Sequence, residues 1–106
     1  MIRAVFRKDA QDRLKGFSVS GHAGLADLGE DICCASVTSA VMMAANTVTE
    51  AFKLSAEAEV LDNEIRLTLG EDNEGLGDKV LLGLMIHLYN LKDEFPGYIS
   101  VRVEGL

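Results

Sequence analysis

His22 stands in a glycine-rich stretch, GHAGLADLGEDICCAS, which ends in the adjacent cysteines Cys33 and Cys34. Cysteine attacks as a thiolate, and an imidazole that takes its proton forms the second half of an ion pair. The segment after the cysteines is apolar and reads as a helix, which would put both sulfurs in its first turn. There the positive end of the helix dipole favours a thiolate, and N–H groups without intrahelical partners can receive an oxyanion. The loop between His22 and the cysteines could fold the imidazole back or open for a bulky substrate, and so act as a gate. The plainer reading is that small cysteines are core residues. Spacing alone does not choose between these readings, or between the two sulfurs.

Two other uses of the segment fit less well. A zinc site built from His22, Asp27, Cys33 and Cys34 would need cysteines spaced by two to four residues, and no second pair exists. A redox pair would need C-x-x-C, and a bridge between neighbours is strained. The thiols are therefore expected unbridged, in a reducing compartment, with no metal and no cofactor. The acidic loop at 70–77 lacks the alternating acids and distal Glu of a calcium loop and reads as solvated. His87 lies on a polar helical stripe with Gly83, Asn90 and Glu94, where an exposed histidine needs no special task.

The elements that would position His22 and the cysteines follow from periodicity. Residues 2–8 alternate as a strand, 9–12 turn, and 14–20 form a second strand. A loop covers 21–30 and a helix 31–53, with Asp31 as its N-cap. That helix is apolar nearly all round, so most of its sides should be buried, by the second helix or by a dimer partner. Strands at 56–61 and 64–69 flank Asp62-Asn63, residues that tolerate positive φ and signal a tight hairpin. A second helix spans 78–94, with Leu81, Leu84, Met85, Leu88 and Leu91 inward. Phe95-Pro96-Gly97 stops it, and 98–103 is a last strand. The order ββαββαβ predicts an α+β fold with two layers, a mostly antiparallel sheet with two helices on one face.

Composition bounds the rest. The chain has 106 residues, 48% of them hydrophobic and 25% charged, so one globular domain over 1–106 is expected. The net charge of −7 argues against direct nucleic-acid contact and suits a basic partner. MIRAVFRKDA lacks the apolar core of a signal peptide. The uncharged run 32–49 holds Ser36, Thr38, Ser39, Asn46, Thr47 and Thr49 and reads as too polar for a membrane span. The expectation is a cytoplasmic protein.

Gly21-His22-Ala23, followed by Gly29-x-Asp31-Ile32-x-Cys34-Ala35 with eleven residues between His22 and Cys34, resembles the Prp family of ribosomal-processing cysteine proteases. The resemblance extends over nearly the whole chain. It implies removal of an N-terminal extension from a bacterial large-subunit ribosomal protein, the twenty-seventh in that series, with His22 and Cys34 as the catalytic pair. It implies a supporting role for Asp31, as cap or loop anchor, and for Thr38, where the family usually has serine. Cys33 takes a position usually held by an aliphatic residue and so resembles a spacer. The N–H groups of Cys34 and Ala35 are the expected oxyanion site. Relatives form homodimers, which implies one here. The rival reading is a non-catalytic acidic adaptor of ribosome assembly, in which His22 and Cys34 serve packing.

Overall fold

The computed structural model describes residues 1–21 and 28–106, and of residues 28–31 the backbone alone. Its elements are β1 (Ile2–Lys8), β2 (Leu14–Ser20), α1 (Leu28–Asn46) continued by a π-helical turn (Thr47–Ala51), β3 (Ala56–Leu61), β4 (Glu64–Leu69), α2 (Leu76–Glu94) and β5 (Ile99–Gly105). The five strands form one sheet in the order β3-β4-β2-β1-β5. Among the described strands only the β1–β5 pair is parallel. This is the expected ββαββαβ order with a mostly antiparallel sheet.

The sheet alternates as a half-covered sheet should. Ile2, Ala4 and Phe6 of β1, Phe17 and Val19 of β2, and Leu67 and Leu69 of β4 are buried on the side that carries the helices. Phe6 lies opposite Phe17 across the β1–β2 ladder, with ring centroids 5.9 Å apart. Leu81, Leu84, Leu88 and Leu91 bury the inner face of α2, and Met85 is half-buried beside them. From α1 the stripe Cys33, Val37, Val41 and Ala44, continued by Val48 of the π-helical turn, enters the same core, spaced by three and four residues.

The acidic loop before α2 is more than solvated. Asp72 is buried, and its two carboxylate oxygens each accept one helix-start N–H, from Gly77 and Asp78 at 3.0 Å. Those donors have no intrahelical acceptor, so the carboxylate satisfies them and complements the dipole. Asp78 in turn accepts the Leu14 N–H at 2.7 Å and ties α2 to the start of β2.

Three further expectations change. The first helix starts at Leu28, so Asp31 lies within its first turn and is not its N-cap. Glu30 and Asp31 place acids at the positive helix end, which favours that earlier start. Second, α1 is not buried on most sides: Ile32, Met42 and Met43 are exposed, Met43 by 69%. By length and composition the window Ile32–Ala51 could cross a membrane, against the expectation of too polar a run, although its inner stripe packs in this core. Third, the β3–β4 hairpin turns tightly at Asp62-Asn63 without positive φ; among described non-glycine residues only Asp12 and Lys53 have it.

Candidate active site

Cys33 and Cys34 are neighbours on α1, and one helical step rotates a side chain by about 100°. The fold uses that rotation to separate them. Cys33 is fully buried in the core, whereas Cys34 is half-buried and faces a hollow. Neither sulfur is in a disulfide. Thr38 lies one turn beyond Cys34, so it shares that face, and it lines the same hollow.

The hollow encloses about 220 Å³. Cys34, Thr38 and Val41 of α1 form one wall. Val60 and Ile65 of the β3–β4 hairpin form the opposite wall, with Ile2 and Gly21 completing it. Apolar side chains dominate, so the space suits an apolar group held against Cys34.

His22 and Asp27 lie outside the described residues, as do the rest of 22–27, where the gate is expected, and the side chain of Asp31. What is described is the backbone that delivers His22. Gly21 follows β2, whose last residue, Ser20, pairs with Glu64. Its N–H donates to the carbonyl of Asn63 in the hairpin turn at 3.1 Å. Its φ is +82°, and a Cβ there would lie 2.3 Å from the carbonyl oxygen of Met1. Only glycine fits such a conformation and such a close approach. The residue next to His22 in sequence therefore sits on the rim of the hollow that holds Cys34.

The expected help from the helix start is weaker than the sequence suggested. With α1 beginning at Leu28, Cys34 is its seventh residue and lies beyond the first turn, where the dipole effect is concentrated. The N–H groups of Cys34 and Ala35 also fall past the four unsatisfied donors of a helix, so the ladder engages them and they are not the free oxyanion donors expected. A thiolate at Cys34 would therefore need a base close by, since the helix start gives it little help. Among the described residues no cluster of three or more His, Cys, Asp or Glu could hold a metal ion.

Sequence reading missed the hairpin wall, Val60 through Ile65, and the anchoring carbonyl of Asn63. The available signal was the antiparallel register: once Ser20 pairs with Glu64, the Asp62-Asn63 turn must abut Gly21.

The family model for cysteine protease Prp matches residues 1–100. The ribosomal processing cysteine protease Prp of Bacillus subtilis (strain 168) is 40% identical over 48 residues, which cover 45% of this chain and 43% of that protein, so the match spans less than half of the relative's length. Two crystal structures of the Staphylococcus aureus ribosomal processing protease Prp share the fold. The complex with a substrate peptide has a TM-score of 0.89 at 15% identity, covering 98% of this chain and 100% of that one. The complex with a covalently linked product peptide has a TM-score of 0.87 at 16% identity, with the same coverage. SMU.848 of Streptococcus mutans superposes with a TM-score of 0.81 at 20% identity, over 100% of this chain and 96% of that one. The match across residues 1–100 shows that the chain belongs to the Prp family of cysteine proteases, enzymes that hydrolyse peptide bonds.

Proposed function

We propose that this chain is the cysteine endopeptidase that removes the N-terminal extension of a bacterial large-subunit ribosomal protein. The observation that carries the reading is the shared hollow: half-buried Cys34 and the residue that launches His22 line one apolar space. The name of the Bacillus subtilis relative supports ribosomal processing as the task. His22 takes the proton of Cys34, and the thiolate attacks the scissile carbonyl carbon. The C–N bond then breaks as the imidazolium gives that proton to the leaving amine, leaving a thioester on Cys34. Water, deprotonated by His22, hydrolyses the thioester and restores the thiol. No cofactor enters these steps.

The net charge of −7 favours a basic ribosomal protein as substrate and disfavours direct contact with nucleic acid. Ribosomal proteins are made in the cytoplasm, and the enzyme would act there, without a membrane. Incubating the purified chain with the extended ribosomal protein should yield one shortened product by intact-mass measurement. Binding without any mass loss would overturn the reading and favour the acidic adaptor.

The same reading includes a homodimer, seated on the groove between α1 and α2. This groove, of about 830 Å³, runs between Ser36, Ser39 and Met43 on one helix and Val80, Gly83 and His87 on the other. The α1 side carries no charge over 32–49, so two chains of net charge −7 can meet there with little repulsion. Glycine within a helix costs about 1 kcal/mol relative to alanine. Yet nothing lies within 4 Å of the space a Gly83 Cβ would fill. Close approach by a second copy accounts for that residue. Sedimentation at micromolar concentration should give a dimer, and Gly83→Arg should give a folded monomer of equal or higher thermal stability. A monomeric wild type would count against the dimer.

A further inference from the structure

Among the described residues β3 is an edge strand, hydrogen-bonded only to β4. Its sequence, AEAEVL, contains no proline and no lysine, and its register with β4 runs without a bulge. Exposed edges usually carry one of those protections, because an unpaired edge is a template for another strand. The register also shows which groups are unpaired. The Gly70 N–H donates to the Ser55 carbonyl at 2.8 Å, in line with the β3–β4 ladder. Bonded pairs in an antiparallel ladder recur at every second residue. Glu57, Glu59 and Leu61 are therefore bonded to β4, and the backbone groups of Ala56, Ala58 and Val60 face the open edge.

The two faces of this edge differ. Ala56, Ala58 and Val60 lie on the helix side, opposite Leu69, Leu67 and Ile65. Ala56 packs against the core, but towards the hairpin turn that side is open: Ala58 is exposed and Val60 is 69% exposed. Val60 also lines the hollow of Cys34, so an apolar shelf on β3 is continuous with the candidate active site. Glu57 and Glu59 point to the other face. Arg66, which lies opposite Glu59, pairs with Glu64 instead. Among the described residues neither Glu57 nor Glu59 forms a salt bridge.

We infer that the substrate docks as a sixth strand on the free edge of β3, an inference that rests on the peptidase reading above. One set of alternate side chains lies over Ala58 and Val60 toward the hollow and must be apolar. The intervening set faces Glu57 and Glu59 and is best basic. The main chain gives affinity through the open N–H and C=O groups, and alternate side chains give specificity. The two glutamates also repel an acidic strand, which keeps a second copy of this chain off the edge.

The test uses two ten-residue synthetic peptides spanning the cut, apolar at alternate positions and carrying either Lys or Glu between them. Wild type should favour the Lys peptide about five-fold in kcat/KM at low salt, with the preference shrinking in high salt. The double variant Glu57→Lys, Glu59→Lys should reverse that preference. Ala58→Pro removes an edge donor and no ladder donor, a substitution edge strands tolerate. It should lower kcat/KM at least about ten-fold for both peptides, with a melting temperature near that of wild type. If wild type cleaves and the charge-swapped enzyme keeps its preference, the inference is overturned, even should Ala58→Pro fail to fold. If wild type cleaves neither peptide, it is the peptidase reading that falls. The edge is then judged by peptide affinity for Cys34→Ala, where a Lys preference reversed by the double swap supports it and no preference overturns it.

Discussion

Cys34→Ala should abolish processing, with kcat falling at least about 10⁴-fold, as when a covalent nucleophile is deleted elsewhere. Cys33→Val should cleave at close to the wild-type rate. The two neighbours differ because the helix turns them onto different surfaces. Cys33 is fully enclosed by core side chains, and valine, one heavy atom larger, costs about 1–3 kcal/mol of stability there without reaching the hollow. Cys34 faces the hollow and is half-buried, so loss of its sulfur leaves the packing of Cys33, Val37 and Val41 in place. Two measurements check this together. Intact-mass analysis after brief treatment with iodoacetamide near neutral pH should show one adduct, located at Cys34 and slowed by His22→Ala. Cleavage of the extended ribosomal protein should follow the same residue. An active Cys34→Ala paired with an inactive Cys33→Val would move the nucleophile to the other sulfur and shift the motif by one residue.

That distinction also shows what was legible before folding. The alternation in 2–8, the apolar face of 14–20, the Asp62-Asn63 hairpin signal and the leucine spacing in α2 are local patterns, and each led to the right element. The ends of α1 depended on subtler competition. At its start, acids that look like caps serve as first-turn charges. At its end, Thr47 and Thr49 send their hydroxyls back to the carbonyls of Met43 and Ala45 at 2.7 and 3.0 Å. Such back-bonding competes with the helical ladder, and the helix loosens there into a π turn. The Phe52 N–H accordingly reaches the Thr47 carbonyl, five residues back. The candidate site was legible as residue types, in GHA and D-I-x-C, and not as a shape. Its far wall comes from a hairpin some thirty residues further along the chain, and only the pairing of β2 with β4 brings it to Cys34.

Gly21 is where that long-range pairing meets the chemistry, and Gly21→Ala should therefore lose activity out of proportion to its cost in stability. Alanine at φ +82° is strained, and its Cβ would lie 2.3 Å from a backbone oxygen that has no side-chain freedom with which to yield. Relief requires the chain to move at Gly21, which breaks or lengthens its bond to the Asn63 carbonyl. The residue displaced next is His22. A general base must lie within hydrogen-bond reach of its proton, and a shift of about 1 Å can cost on the order of 100-fold. We expect kcat/KM for the extended ribosomal protein to fall by at least that factor, while the melting temperature drops by about 5–10 °C. Gly97→Ala is the control, because Gly97 also has positive φ, at +88°, with nothing within 4 Å of the added carbon. It carries the strain without the collision and should cost some stability and no activity. Iodoacetamide separates positioning from general weakening. If Gly21 places the imidazole, the pH dependence of Cys34 alkylation in Gly21→Ala should match that of His22→Ala, whereas Gly97→Ala should keep the wild-type profile. A Gly21→Ala enzyme that cleaves at the wild-type rate with an unchanged alkylation profile would show that the base reaches Cys34 without this anchor.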